Sequence, residues 1–318
     1  MKSLLIVAPN WLGDAVMALP AIADVRRAAR DVAITVAARP SIRWLFSLTG
    51  DDCAHVGSVT SGYSSALLLP NSFRSALEIW RAGIPDRWGY RTDWRGALLT
   101  RAVQPPEHGH QIEYYQRLVR ELGFPNGPDE PRLVASEVMR SEGADALERA
   151  GWDKQSPIVA FAPGAAYGGA KRWPPEYFAE LAGALARDGV SVVIVGSAED
   201  VPTGREIEAH LARSNGHART LNLVGATDLP TLAGVLVMSR ALVTNDSGAM
   251  HLAAALGVRV TAVFGPTNER ETAPAGPHAV LTNDVECRPC MLRECPIDHR
   301  CMRGVGVDRV LAEARRTL

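Results

Sequence analysis

The sequence predicts an α/β protein of two Rossmann-like domains, each a parallel sheet covered by helices. Short β-rich runs alternate with amphipathic helical stretches, a connector dense in Gly, Pro and charge interrupts them at 123–132, and a second alternation starts at Pro157. In the first half, the apolar runs 4–8, 33–38 and 66–69 read as buried strands. Segments 15–29, 72–81 and 111–122 carry apolar residues at helical spacing, and 136–150 adds one more helix after the connector. In the second half the expected order is strand 158–162, helix 174–187, strand 190–195, helix 201–213 and strand 220–224. Helix 229–239, strand 241–244, helix 249–256 and strand 258–264 follow, with Pro174 suited to a first helical turn. The expected division is residues 1–153 and 154–318, and ligands of such sheets bind beyond the carboxyl ends of the strands.

Composition narrows the function classes. With 318 residues, 47% hydrophobic and 22% charged, the chain has ample material for a core. Its net charge of −1 gives no general reason to hold nucleic acid. The charge is uneven: residues 1–101 carry 12 basic and 8 acidic side chains, which suits either an anionic partner or an ordinary solvated surface. No run approaches the roughly 20 apolar residues of a membrane span. Asn10, Gly13 and Asp14 interrupt the first apolar run before a signal-peptide core forms, so a cytoplasmic location is expected.

Three strand-to-helix loops can carry chemistry. In the first, 9–14, Gly13 permits close backbone approach to a ligand, and Asp14 either caps the helix or takes a proton from a hydroxyl. Asn10 and Trp11 read as turn and packing residues or as ligand contacts. The second, 164–174, is rich in small residues whose amides can face phosphate oxygens, with Gly164 at its start and Lys171 and Arg172 adding positive charge. It is not a Walker A loop, since Ala170 separates Gly169 from the lysine and Arg172 follows it. The third, 244–251, offers Asp246 or Ser247 as caps and the amides from Gly248 onward as an anion seat, with His251 one turn along. Glu199 is placed to accept hydrogen bonds from a ribose or to be a plain surface carboxylate.

Two further clusters stand out. Cys287, Cys290, Cys295 and Cys301 can form a structural zinc site, remain reduced thiols, or make a facultative disulfide; their spacing is not that of paired zinc knuckles. Cys53 reads as a small buried hydrophobe. Arg87 and Arg91 lie in a stretch where Trp80, Trp88, Tyr90 and Trp94 alternate with guanidinium groups. Such a stretch can grip a sugar and its phosphates, or pack arginine stems on tryptophan.

The segments PNWLGDAVMALPAI at 9–22, PGAAYGGAKRWPPEYFAELA at 163–182, TNDSGAMHLAAALG at 244–257, FGPTNERETAP at 264–274 and CRPCMLRECPIDHRCM at 287–302 together resemble the heptosyltransferases of glycosyltransferase family 9, most of all the heptosyltransferase II branch. The resemblance implies a GT-B fold with the two sheets facing a central cleft, an acceptor-binding first domain and an ADP-sugar-binding second one. It implies inverting transfer of L-glycero-D-manno-heptose from ADP-heptose to the lipopolysaccharide inner core, on heptosyl-Kdo2-lipid A type acceptors, at the cytoplasmic face of the inner membrane and without nucleic acid as a partner. By position, Asp14 is the expected base and Lys171 the diphosphate-contacting lysine. The expected donor residues are Gly13, Gly164, Tyr167, Glu199, Asp246, Ser247, Gly248 and His251, and the expected acceptor residues are Asn10, Trp11, Arg87 and Arg91. Related enzymes offer hydroxyls before the lysine, where Ala165 and Ala166 stand here, so backbone amides or Tyr167 must supply that contact.

The scheme so implied needs no cofactor, with zinc at the thiols an unneeded addition. A nucleotide-sugar epimerase or hydrolase on the same scaffold, and a metal-stapled non-catalytic module, are the competing classes. Hydride transfer is disfavoured because no G-x-G-x-x-G follows the first strand.

Overall fold

The computed structural model describes residues 1–49, 54–213 and 220–318; Cys53 lies outside them. The chain divides into two compact units, Met1–Val134 and Ala135–Leu318.

The first unit holds β1 (Ser3–Val7), α1 (Leu12–Met17), α2 (Leu19–Ala28), β2 (Ala33–Ala37), β3 (Ala54–Val56), β4 (Ser65–Leu68), α3 (Phe73–Arg81), β5 (Asp86–Tyr90), β6 (Arg101–Val103) and α4 (Gln111–Glu121). Its parallel sheet has the order β3-β2-β1-β4-β5-β6. The chain crosses over between β1 and β4, where Leu5 pairs with Ala66. β1 and β4 read as apolar runs because both faces of a parallel sheet are covered: Leu4, Leu5, Ile6, Leu67 and Leu68 are fully buried.

The helix expected over 15–29 is two helices. Ala18 ends α1 and begins α2, because Pro20 has no N–H to continue the ladder and its ring crowds the carbonyl of Val16. The connector at 123–132 is tied to the unit by Asp24, which is fully buried. Asp24 accepts from Gln116 Nε2 at 2.9 Å and Gly127 N at 2.9 Å and pairs with Arg27. Three donors satisfy a carboxylate that burial would otherwise penalise.

The second unit holds α5 (Glu137–Arg149), β7 (Ile158–Ala162), α6 (Pro175–Arg187), β8 (Ser191–Ile194), α7 (Val201–Arg213), β9 (Thr220–Asn222), α8 (Leu229–Met238), β10 (Ala241–Asn245), α9 (Gly248–Ala255), β11 (Arg259–Phe264), α10 (Glu269–Thr272), β12 (His278–Thr282), α11 (Arg300–Arg303) and α12 (Val307–Arg315). Its sheet runs β12-β11-β10-β7-β8-β9, the same relative order as the first, with the crossover between β7 and β10. Around Phe161, Trp173 and Phe178 a buried apolar cluster fills the space between this sheet and α6, joined by Val307 and Val310 of α12.

The division at Val134 falls earlier than the expected 153, and it moves α5 into the second unit. α5 packs on α8 through facing glycines: a Cβ on Gly143 would strike the backbone of Gly234, and one on Gly234 would strike the carbonyl of Met139. Only residues without side chains let two helices approach so closely. Among the described residues, no helix is long and apolar enough to cross a membrane.

Candidate functional site

Each sheet has its crossover where an open α/β sheet binds ligands. In the first unit, that point is occupied by the loop from β1 into α1. Asn10 and Trp11 are exposed there, Trp11 at 63%. Trp11 is the N-cap of α1 but makes no side-chain cap bond, while Gly13 and Asp14 lie inside the first turn. Asp14 is therefore not the cap. Its carboxylate lies close enough to the buried Tyr115 of α4 to act on that phenol: burial first, then the charge of Asp14, raise Tyr115 above the usual phenol range. Asp14 is thus a carboxylate at a helix N-terminus, beside a neutral phenol.

The two arginines grouped with the acceptor separate. Arg87 is the second residue of β5 and has its guanidinium turned to main-chain carbonyls, donating from Nε to Leu98 O at 2.6 Å and from Nη1 to Ile84 O and Pro85 O, each at 2.8 Å. It is a strut for the start of β5. Arg91, one residue past β5, is exposed, and among the described residues its guanidinium has no hydrogen-bond or ion-pair partner.

In the second unit the loops after β7 and β10 converge. Lys171, at the end of the 3-10 turn Gly169–Lys171, places Nζ 2.5 Å from Asp246 Oδ2, and both side chains are largely buried. Thr267, after β11, donates to the same oxygen at 2.7 Å. Asn245 ties the two loops, accepting from Trp173 N at 3.0 Å and donating to Pro163 O at 2.7 Å. Trp173 is fully buried and donates its indole N–H to Val305 O at 2.9 Å. The lysine loop is therefore pinned from two directions.

Ser247 is the N-cap of α9 and makes no side-chain cap bond; its hydroxyl is 3.0 Å from that of Thr244. The first amides of α9, beginning at Gly248, thus remain available to an anion, reinforced by the helix dipole. His251, in the same helix, is 5% exposed. Glu199 is exposed in the turn after β8, whereas Asp200 beside it is buried and accepts from Ser197 N at 2.9 Å and Ser197 Oγ at 2.8 Å. A Cβ at Gly164 would fall on the Asp200 carboxylate, so Gly164 provides clearance.

Tyr167 has a positioning part. Its hydroxyl donates to Met291 O at 2.8 Å, and its ring has Lys171 Nζ at 4.7 Å and the Arg293 guanidinium at 5.3 Å from its centre. The cysteine-rich segment supplies this scaffold. Ala170 N donates to Arg293 O at 2.8 Å, Gly169 N to Glu294 Oε1 at 3.1 Å, and His299 Nε2 is 2.7 Å from Ala170 O. A Cβ on Gly168 would collide with the Arg293 carbonyl. The four cysteines and His299 line one cavity of ≈70 Å³ against Ala170. The thiols of Cys287 and Cys290 are exposed and Cys301 is buried, and no group of three or more His, Cys, Asp or Glu among the described residues is arranged to hold a metal ion.

Asn245, Asp200, Thr267 and Arg293 were not among the expected site residues. Asn245 and Thr267 lie at or just beyond the carboxyl ends of buried strands, which is the signal that marks them; Asp200 is marked by the Ser-x-x-Asp capping box that it forms with Ser197, while Arg293 acts across a long sequence separation and carries no local mark.

Residues 55–300 match the model of glycosyltransferase family 9 (heptosyltransferase). Lipopolysaccharide heptosyltransferase 2 of Salmonella typhimurium is 33% identical over 296 residues, 85% of each chain. Lipooligosaccharide heptosyltransferase 2 of Haemophilus influenzae is 30% identical over 311 residues, 89% of each. Among solved structures, the ADP-heptose lps heptosyltransferase II of E. coli superimposes with a TM-score of 0.83 at 30% identity, covering 100% of this chain and 98% of that one.

Proposed function

The chain belongs to glycosyltransferase family 9, the heptosyltransferases, and on that premise we propose that it moves L-glycero-D-manno-heptose from ADP-heptose to the inner core of lipopolysaccharide with inversion, the heptosyltransferase II reaction. The observation that carries this reading is the pairing of Lys171 with Asp246 at the β7–β10 crossover, next to the uncapped start of α9. A fixed ammonium and a set of outward amides suit a nucleoside diphosphate.

In this scheme the first unit binds the acceptor and the second the donor. Asp14 accepts the proton of the acceptor hydroxyl as that oxygen attacks the anomeric carbon and the bond to ADP breaks. Deprotonating a sugar hydroxyl with a carboxylate is uphill in isolation, so proton transfer accompanies bond formation. A single displacement needs one carboxylate at the reacting centre; a covalent intermediate would need two. Lys171 and the amides from Gly248 onward stabilise the charge that develops on departing ADP. Asp246 acts through Lys171 by holding its ammonium in place, Ser247 and His251 complete the donor loop, and Glu199 is assigned to the ribose. Asn10, Trp11 and Arg91 are the acceptor contacts, beyond the carboxyl ends of β1 and β5 in the first sheet. Arg87 ties the start of β5 to the main chain at Ile84, Pro85 and Leu98.

Lys171 and the helix amides provide the positive field, so the scheme calls for no cofactor. The cysteine segment serves it as a brace for the lysine loop. A lipid-borne acceptor brings the enzyme to the cytoplasmic surface of the inner membrane as a peripheral protein.

The test is ADP release from ADP-heptose with a panel of truncated core lipids. Release that depends on an acceptor, with a product one heptose heavier, is expected. Steady release without acceptor, or isomerised sugar, would instead indicate a hydrolase or an epimerase.

A further inference from the structure

The corner that follows β5 is built at some cost and presents a side chain the scheme above does not use. Asp93 and Trp94 are consecutive residues with positive φ, 47° and 59°, a region that neither favours. Such a conformation persists when its surroundings over-determine it, and here they do. Arg95 is fully buried and donates from Nε to Tyr90 O at 2.8 Å and from Nη1 to Pro70 O and to Ser75 Oγ, the last at 3.2 Å. Burial pushes its guanidinium down to about 10. Thr92 Oγ1 donates to Asn71 O at 2.9 Å, and Phe73 N donates to Asp93 Oδ2 at 2.6 Å.

The consequence is a rigid corner whose tip, Trp94, is 95% exposed. Beside it stands Arg91, whose stem passes over Gly96, where a Cβ would lie 3.1 Å from Arg91 Cγ. Arg91, Asp93 and Trp94 line an open cavity of ≈530 Å³. An indole face stacks on the apolar face of a sugar ring, a carboxylate accepts from its hydroxyls, and a free guanidinium forks an anionic substituent. Holding the indole in place before binding removes the cost of ordering it. A tip made for insertion into an anionic membrane would not carry a carboxylate, whereas here the exposed Asp93 adjoins the indole.

We propose that Trp94, with Arg91 and Asp93, is a stacking subsite for an anionic sugar of the acceptor, separate from the sugar that receives the heptose. In the sheet order β5, which leads into the Trp94 corner, lies two strands from β1, which leads into the helix of Asp14, a spacing of about 10 Å between the strands themselves. The subsite selects acceptors by a residue other than the reacting one. This inference rests on the transferase reading, so its test combines turnover with direct binding.

The experiment uses the full chain, ADP-heptose and a delipidated, phosphorylated core oligosaccharide, with saturation-transfer NMR reporting sugar contact independently of turnover. Trp94→Ala is expected to raise the acceptor KM about tenfold while the donor KM stays put, and Trp94→Phe to recover most of the loss. Arg91→Met should raise KM for the phosphorylated acceptor more than for a dephosphorylated one. An unchanged acceptor KM in Trp94→Ala overturns the subsite, as does a loss confined to binding of anionic phospholipid vesicles, which would assign the indole to the membrane. Trp94-dependent sugar contact without any transfer by the wild-type chain would keep the subsite and overturn the transferase reading instead.

Discussion

Lys171 and Asp246 come from loops 75 residues apart in sequence, yet their charged atoms lie 2.5 Å from each other, with Thr267 donating to the same carboxylate oxygen. An ammonium has three donors, and Asp246 takes one. The others have no hydrogen-bond acceptor among the described residues and can serve an anion, at a fixed point beyond the paired ends of β7 and β10.

Replacing Lys171 by Ala removes a charge-assisted contact of about 1.5–3 kcal/mol, so ADP affinity should fall by roughly 10–100-fold, with turnover falling further. Asp246→Asn leaves the ammonium but loosens it, and a smaller loss of affinity is expected. Calorimetric titration with ADP checks both; wild-type affinity in Lys171→Ala would remove this lysine from the diphosphate.

The close approach of α5 and α8 makes Gly234 intolerant of a side chain. Gly234→Ala forces its Cβ onto the Met139 carbonyl, and overpacking of this kind costs about 1–3 kcal/mol. Denaturant unfolding should show a lower midpoint with unchanged slope. An unaltered midpoint would mean that the helices stand further apart than described.

Thiol reactivity should follow exposure. Cys287 and Cys290 are exposed, while burial, then the neighbouring Cys287, raise the Cys301 thiol above its ordinary value. Brief iodoacetamide treatment followed by mass spectrometry should find Cys287 and Cys290 modified and Cys301 spared until the chain unfolds. Early labelling of Cys301 would contradict its place against Gly265 and Met302.

Tyr115 makes stability depend on pH. Its folded-state pKa lies above the unfolded value, so the unfolded chain loses the proton first. Stability is therefore unaffected well below pH 10 and falls as pH rises through the ordinary phenol range. Tyr115→Phe removes the phenol that must stay protonated in the folded chain, so denaturant unfolding should show a smaller loss of stability between about pH 8 and pH 11 than in wild type. An equal loss in the two proteins would contradict the raised Tyr115.

Much of this was legible in the linear chain. A buried parallel strand such as β7, Ile-Val-Ala-Phe-Ala, is apolar without interruption, and some helices begin at recognisable caps: Asp228 accepts from Thr231 N at 2.9 Å at the start of α8. The strands not anticipated are β3, β5, β6 and β12. β3 and β6 have three residues each and β12 is an edge strand, while β5 reads Asp-Arg-Trp-Gly-Tyr, a composition that resembles a ligand surface. That composition grouped Arg87 with Arg91, although the one lies within β5 bonding carbonyls and the other lies just past its end. Asp14 and Lys171 could be picked out because each follows the carboxyl end of a buried strand, Asp14 in the first turn of α1 and Lys171 in a 3-10 turn. What surrounds them could not: Tyr115, Thr267 and Arg293 approach from distant segments, and only folding brings them near.

The most direct measurement is the turnover of Asp14→Asn with ADP-heptose and a lipid acceptor, set beside its affinity for ADP. The account predicts affinity within about threefold of wild type and a rate lower by about 10²–10⁴-fold, the usual contribution of a positioned base. A variant that transfers heptose at the wild-type rate would contradict it.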